Sequence, residues 1–172
     1  MSEVKTARDV VYRPKGAGEA LWAMGSFMEV KIGPDDGDGT LGVMEVTQPP
    51  GVATPLHVHS HEAEAFFLLE GTITYEGGGE LYELSAGDFL YLPRSVPHRF
   101  RITGDRPARF LALTAPAGLN QLYAEVGRPA LERRIPDKPT DEQIAAEIAR
   151  WNEVAPRYGL EVLGPPLPVA TG

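Results

Sequence analysis

The chain has 172 residues, a formal net charge of −8 and no cysteine. An acidic surface repels phosphate backbones and anionic headgroups, which argues against nucleic acid and membranes as partners. The missing thiols exclude disulfides, thiolate metal sites and a cysteine nucleophile. A hydrophobic content of 42%, with 19 Gly and 16 Pro, suits one domain of many short strands and tight turns better than a helical bundle.

Residues 1–19 read as an N-terminal arm. Charges run through MSEVKTARDVVYR, where a secretory signal needs an apolar core, so a cytoplasmic location is expected. No apolar run approaches the ~18 residues of a membrane helix. LWAMGSFMEVKI (21–32) carries the β-branched and aromatic residues of one or two strands, and PDDGDG (34–39) is a turn. TLGVMEVTQ (40–48) is a strand that PPG breaks. HVH, AEAFFLLEG and TITYEGGGELYEL follow, the last reversing at the Gly77–Gly79 run. SAGDFLYLP, VPHRFRIT and ARFLALTAP complete a series of strands at regular spacing over residues 20–116, the pattern of an all-β sandwich or barrel.

The last third, 117–172, changes period. Leu119, Leu122, Tyr123 and Val126 have helical spacing within 118–127. A second helix starts at PTDEQ, with Thr140 as N-cap and Gln143 closing a capping box. Its apolar stripe is Ile144, Ile148 and Trp151, and Pro156 and Gly159 end it. The helices are expected to pack outside or across the barrel. The tail GPPLPVATG reads as a Pro-rich extended segment.

Three of the four histidines stand within five residues, His57, His59 and His61, followed at once by Glu62 and Glu64. Strand residues two apart face one way, so His57 and His59 set their rings side by side. Glu64 can fold back to a third corner, and His98 comes from another strand. Imidazole and carboxylate suit first-row divalent metals, and three imidazoles with one carboxylate leave a coordination position open for chemistry. The bland alternative is ordinary interior and surface histidines.

The spacing goes further. Gly51, His57, His59, Glu64 and Gly71 resemble, position for position, the first motif of the cupin superfamily; Gly87, Pro93 and His98 resemble the second. Ser95 stands where the second motif usually has Gly, so the local turn is expected to differ, and Ile102 stands where it usually has Asn. The resemblance covers residues 20–116 and implies an antiparallel jelly-roll β-barrel with C-terminal helices. It also implies that His57, His59, Glu64 and His98 are the ligands of one divalent transition metal ion, among Fe, Ni, Mn, Co, Cu and Zn. His61 and Glu62 then fall in the turn near the barrel mouth, His61 either donating to the ligand shell or solvated.

Parity places Phe66 and Leu68 on the face of Glu64, and Phe100 and Ile102 on that of His98, all pointing inward as pocket walls. Met44, Met28, one of Phe89 and Tyr91, and one of Leu111 and Leu113 join them. Arg94, Arg99 and Arg101 are expected outside. Such a chamber suits a flat, mostly apolar molecule with an ionisable oxygen. LNQLYAEVGRPA and YGLEVLGPPLP look like small single-cupin proteins grouped with quercetinase-type dioxygenases, in which the first helix covers the barrel mouth. That similarity implies a metal-dependent dioxygenase acting, with O2, on a flavonol-like or other enolisable aromatic, Glu64 alternating between ligand and catalytic base. The alternatives are an isomerase, lyase or hydrolase using the same ion without O2, or a small-molecule-binding module without turnover. Barrels of this kind pair through edge strands, so a homodimer is expected.

Overall fold

The computed structural model describes residues 10–169; the first half of the expected arm lies outside that range. Ten strands follow one another before the first helix: β1 (Glu19–Ala23), β2 (Ser26–Ile32), β3 (Gly42–Gln48), β4 (Pro55–His59), β5 (Ala63–Glu70), β6 (Thr72–Gly77), β7 (Glu80–Ser85), β8 (Phe89–Leu92), β9 (His98–Thr103) and β10 (Ala108–Ala115). Then come α1 (Leu119–Val126), a two-residue strand β11 (Arg128–Pro129), α2 (Asp141–Val154), a 3-10 turn (Ala155–Tyr158) and β12 (Leu160–Pro166). Two antiparallel sheets result, β11-β1-β2-β3-β10-β5-β8 and β12-β4-β9-β6-β7. This is the jelly-roll architecture, all-β with C-terminal helices.

Alternation decides the inside. On β3 the buried residues are Gly42, Met44, Val46 and Gln48; on β10 they are Ala108, Phe110, Ala112 and Thr114. Phe66, Tyr75, Phe100 and Phe110 meet between the sheets at ring-centroid distances of 5.0–6.4 Å. Tilted and edge-on contacts of this kind add to the burial of large apolar area. Gly71 makes the β5–β6 reversal at φ +83, and a Cβ there would meet the Cα of Ala108 at 2.7 Å.

Three expectations change. Phe89 and Tyr91 are both exposed, at 61% and 57%, because β8 turns Leu92 inward instead; FLYL is apolar at both parities and its phase is not fixed by pattern. Leu111 and Leu113 likewise face outward, where Phe110 and Ala112 take the interior row. On α2 the capping box at Thr140 and Gln143 forms, yet Ile144 and Ile148 are 38% and 47% exposed. That helix buries side chains mainly at its C-terminal end, Trp151 against Tyr123 with ring centroids 5.6 Å apart and Val154 fully buried, while Glu147 at its middle accepts the Met24 N–H at 2.6 Å.

The Pro-rich segment is extended as expected, and its first residues belong to a strand. β12 pairs with β4, Leu160 opposite His59 and Val162 opposite His57, so residues beyond 116 complete the small sheet. Proline is tolerated there because the strand is an edge. The outward arginines hold it: Arg99 donates to the Pro165 carbonyl at 2.9 Å, and Arg101 to the Leu167 carbonyl at 2.8 Å.

Ser95 adopts the left-handed conformation, φ 63, that a glycine would take without strain. The turn thus takes its left-handed residue without a glycine, and the Ser95 N–H donates to the His59 carbonyl at 2.8 Å. Ser95→Gly is expected to raise unfolding free energy by about 1 kcal/mol in denaturant titration. A loss of stability would show that the Ser95 side chain has a compensating role.

Candidate metal centre

The small sheet brings three imidazoles to one end of the barrel. His57 and His59 share the inner face of β4, and His57 stands opposite His98 of β9. Glu64, on the inner face of β5, reaches across from the large sheet. All four are buried, at 8%, 3%, 5% and 3% for His57, His59, Glu64 and His98. One candidate ligand atom from each lies within 4.8 Å of the others. Ligands around one ion at ~2.1 Å stand at most about 4.2 Å apart, so sub-ångström adjustments would close the site.

Each ring is oriented by its other nitrogen. Nδ1 of His57 lies 2.7 Å from the Pro55 carbonyl, and Nδ1 of His98 lies 2.9 Å from the Val96 carbonyl. Carbonyls only accept, so in both rings Nδ1 carries a hydrogen and Nε2 is the atom left to face the cluster. Nδ1 of His59 bonds Oε1 of Glu62 at 2.7 Å, a carboxylate doing the same work. Glu62 is buried at 6%, whereas His61 is exposed. The surplus acid of the motif is thus the group that aims a histidine, and the surplus histidine faces solvent beside Gly159.

The electrostatics suit a cation. Burial, helped by its two neighbouring imidazoles, pushes His57 down to about 4, so it is neutral at pH 7. Burial opposes charge on Glu64 too, but His59, His98 and His57 outweigh it and hold the carboxyl down to about 2. On His59 the Glu64 and Glu62 carboxylates outweigh desolvation and raise the pKa. Nε2 of His98 comes to 2.9 Å from Oε2 of Glu64, close enough for an ion pair. The approach is not aligned as a hydrogen bond, and both atoms are buried without a hydrogen-bond partner. Two orphaned buried atoms at one spot, with the His59 Nε2 3.4 Å from the same oxygen, fit a bound divalent ion.

The cluster opens into a narrow internal cavity of about 40 Å³. Of the expected pocket residues, Met28, Met44, Phe66 and Phe100 line it. Leu68 and Ile102 are buried at 1% but lie in the core away from the cavity. Leu119 and Tyr123 of α1 form part of the wall, so this helix does lie across the chamber. Gln48, Thr54 and Phe110 also line it, none of them singled out by the sequence.

Glu62→Ala is expected to weaken metal binding about 10- to 100-fold, the usual effect of removing the partner that orients a ligating histidine. Competition with a chromophoric chelator measures it. Unchanged affinity would leave Glu62 without a part in the site.

Residues 44–114 match the family model described as a cupin domain. The two-sheet barrel therefore contains a cupin domain over residues 44–114, whose His/Glu cluster, His57, His59, Glu64 and His98, could hold a metal ion. That domain is similar to quercetinase: over 105 residues the chain is 32% identical to quercetin 2,3-dioxygenase of Bacillus subtilis, spanning 61% of this chain and 31% of that protein. It is 28% identical over 111 residues to the xanthan biosynthesis protein XanB of Xanthomonas campestris, 64% of this chain and 21% of that one. The chain thus spans a third or less of the length of these curated relatives. An RmlC-like cupin from Shewanella frigidimarina superposes with a TM-score of 0.56 at 15% identity, covering 67% of this chain and 99% of that one, which shows the shared fold. Among the described residues no helix is long and apolar enough to cross a membrane.

Proposed function

We propose that this protein is a metal-dependent dioxygenase acting on an enolisable, mostly apolar small molecule, of which a flavonol-like aromatic is the leading candidate. The observation that carries the reading is the convergence of one ligand atom each from His57, His59, Glu64 and His98 on a buried spot facing a cavity with largely apolar walls. The similarity to quercetin 2,3-dioxygenase supports the oxygen chemistry. A divalent ion held by His57, His59, Glu64 and His98 would acidify a coordinated substrate hydroxyl and stabilise the resulting anion.

The chain's own groups do the rest. Glu64, ionised at any physiological pH, accepts the substrate proton; its low basicity is why that proton must be acidified before it moves. Phe66 and Phe100 flank the substrate. Tyr123, whose pKa is raised by burial and by the Glu64 and Glu62 carboxylates, stays a neutral O–H donor. Leu119 and Tyr123 exclude water while α1 lies across the chamber.

Drug-sized ligands occupy cavities of about 300 Å³ or more, so α1 must withdraw to admit a flavonol. The 40 Å³ of the closed chamber favours a second reading, a metal-dependent isomerase, lyase or hydrolase taking a much smaller substrate. The two separate by oxygen-electrode measurements on protein loaded in turn with each divalent metal. Oxygen consumed in step with flavonol loss supports the dioxygenase. Metal-dependent conversion without oxygen uptake rejects it for the second reading, and tight ligand binding that survives metal stripping, without turnover, rejects both. The expected homodimer is supported by the outer face of the large sheet, where Phe67 stands between Leu111 and Phe89, and Ala65 between Leu113 and Tyr91. Sedimentation that remains monomeric at high protein concentration would remove it.

A further inference from the structure

The inward row of β3 ends oddly. Met44 and Val46 are what an interior row needs, but the next inward residue is Gln48, 5% exposed. Its Oε1 is buried without a hydrogen-bond partner, and the side chain lines the same cavity as the histidine cluster. Native folds pair nearly all buried polar groups, so an unpaired amide facing a cavity points to a partner that arrives with a ligand. The amide enters from the end of β3 away from Glu64. Gln48 is opposite Ala108 of β10, whereas Glu64 is opposite Thr114, six residues further along that strand. Thr54 lines the cavity too; its hydroxyl accepts the Phe100 N–H at 3.0 Å, leaving its own hydrogen to donate. Between the two polar ends the walls are Met44, Val46, Phe66 and Phe110.

We infer that Gln48 is the specificity-determining residue of this chamber, pairing with a hydroxyl or N–H that the substrate carries at the end remote from the metal cluster. This rests on the metal-centred reading above and adds to it the substrate class. The molecule is bifunctional, with an acidic hydroxyl beside a carbonyl at one end and a hydrogen-bonding group at the other, joined by an apolar body. A hydroxyl suits best, because it donates to the Gln48 oxygen and accepts from the amide N–H or the Thr54 hydroxyl. A site built this way discriminates against an analogue lacking the group, since binding that analogue leaves the amide unpaired.

The test uses two probe pairs of different length, each sharing one chelating end and differing by a single hydroxyl: kojic acid with allomaltol, and 4′-hydroxyflavonol with flavonol. Affinities are measured by calorimetry on Co(II)-loaded and on metal-free protein, wild type and Gln48→Leu, with bound metal quantified alongside. In at least one pair the wild type is expected to prefer the hydroxylated member about tenfold, one hydrogen bond's worth. In Gln48→Leu that preference falls to about unity, with metal content retained and the affinity for the deoxy member level or higher, because no amide is left unpaired. Neither pair discriminating in the wild type, or discrimination surviving in Gln48→Leu, overturns the inference. A second readout is independent of any ligand: the thermal midpoint of Gln48→Leu stays level or rises. A fall would mark Gln48 as a structural group and also overturn it. Absence of metal from the wild type, with discrimination by Gln48 still present in metal-free protein, removes the metal-centred reading and leaves the role of Gln48 standing.

Discussion

Replacing His98 by alanine is expected to strip the barrel of its metal and leave the fold in place. Apparent binding energies of about 10–16 kcal/mol at four-ligand sites divide to roughly 2.5–4 kcal/mol per ligand, or about 10²- to 10³-fold in affinity. His98 is the sharpest choice because its Nε2 is one of the two orphaned buried atoms and its Nδ1 is committed to Val96. Fold survival follows from the core, whose contacts run through Phe66, Tyr75, Phe100 and Phe110. Elemental analysis of His98→Ala after dialysis, beside its far-ultraviolet circular dichroism, gives both answers. A folded variant that still carries a full equivalent of metal would remove His98 from the ligand set.

The second large effect belongs to Glu64→Gln. Glutamine keeps an oxygen able to approach the same spot but has no charge and no basicity. Metal content is therefore expected to fall only modestly, while turnover drops by about 10² to 10⁴, the range for loss of a general base. The carboxylate also balances the imidazoles: without it, burial acts on His59 against Glu62 alone. Parallel assays of metal content and kcat separate the roles. Turnover at the wild-type level would confine Glu64 to binding, or to no function at all.

How far such a site is legible beforehand depends on what kind of signal each residue leaves. His57 and His59 are two apart on a strand, and their common face follows from backbone geometry. His98 lies about forty residues on, and only the spacing of a known motif links it to them. Glu62 left no periodic signal, because it sits in the turn between β4 and β5 where parity has no meaning. Leu68 and Ile102 face inward as their parity requires, yet parity says which side a residue takes, not how far it stands from a cavity. Phe89 and Tyr91 failed for another reason, since an all-apolar strand reads the same in either phase. Gln48 shares the inward parity of Met44 and Val46, but that its amide ends at a cavity is visible only in the structure.

The pairing of β12 with β4 carries an implication for biosynthesis. The histidine strand emerges from the ribosome about a hundred residues before the strand that seals its outer edge. At about 5–20 residues per second that interval is about 5–20 s, during which the nascent chain presents an unsealed, imidazole-bearing strand to the cell. Loading of a metal ion would therefore be an event for the end of translation, and shortening the chain before Leu160 would leave the cluster with one wall missing.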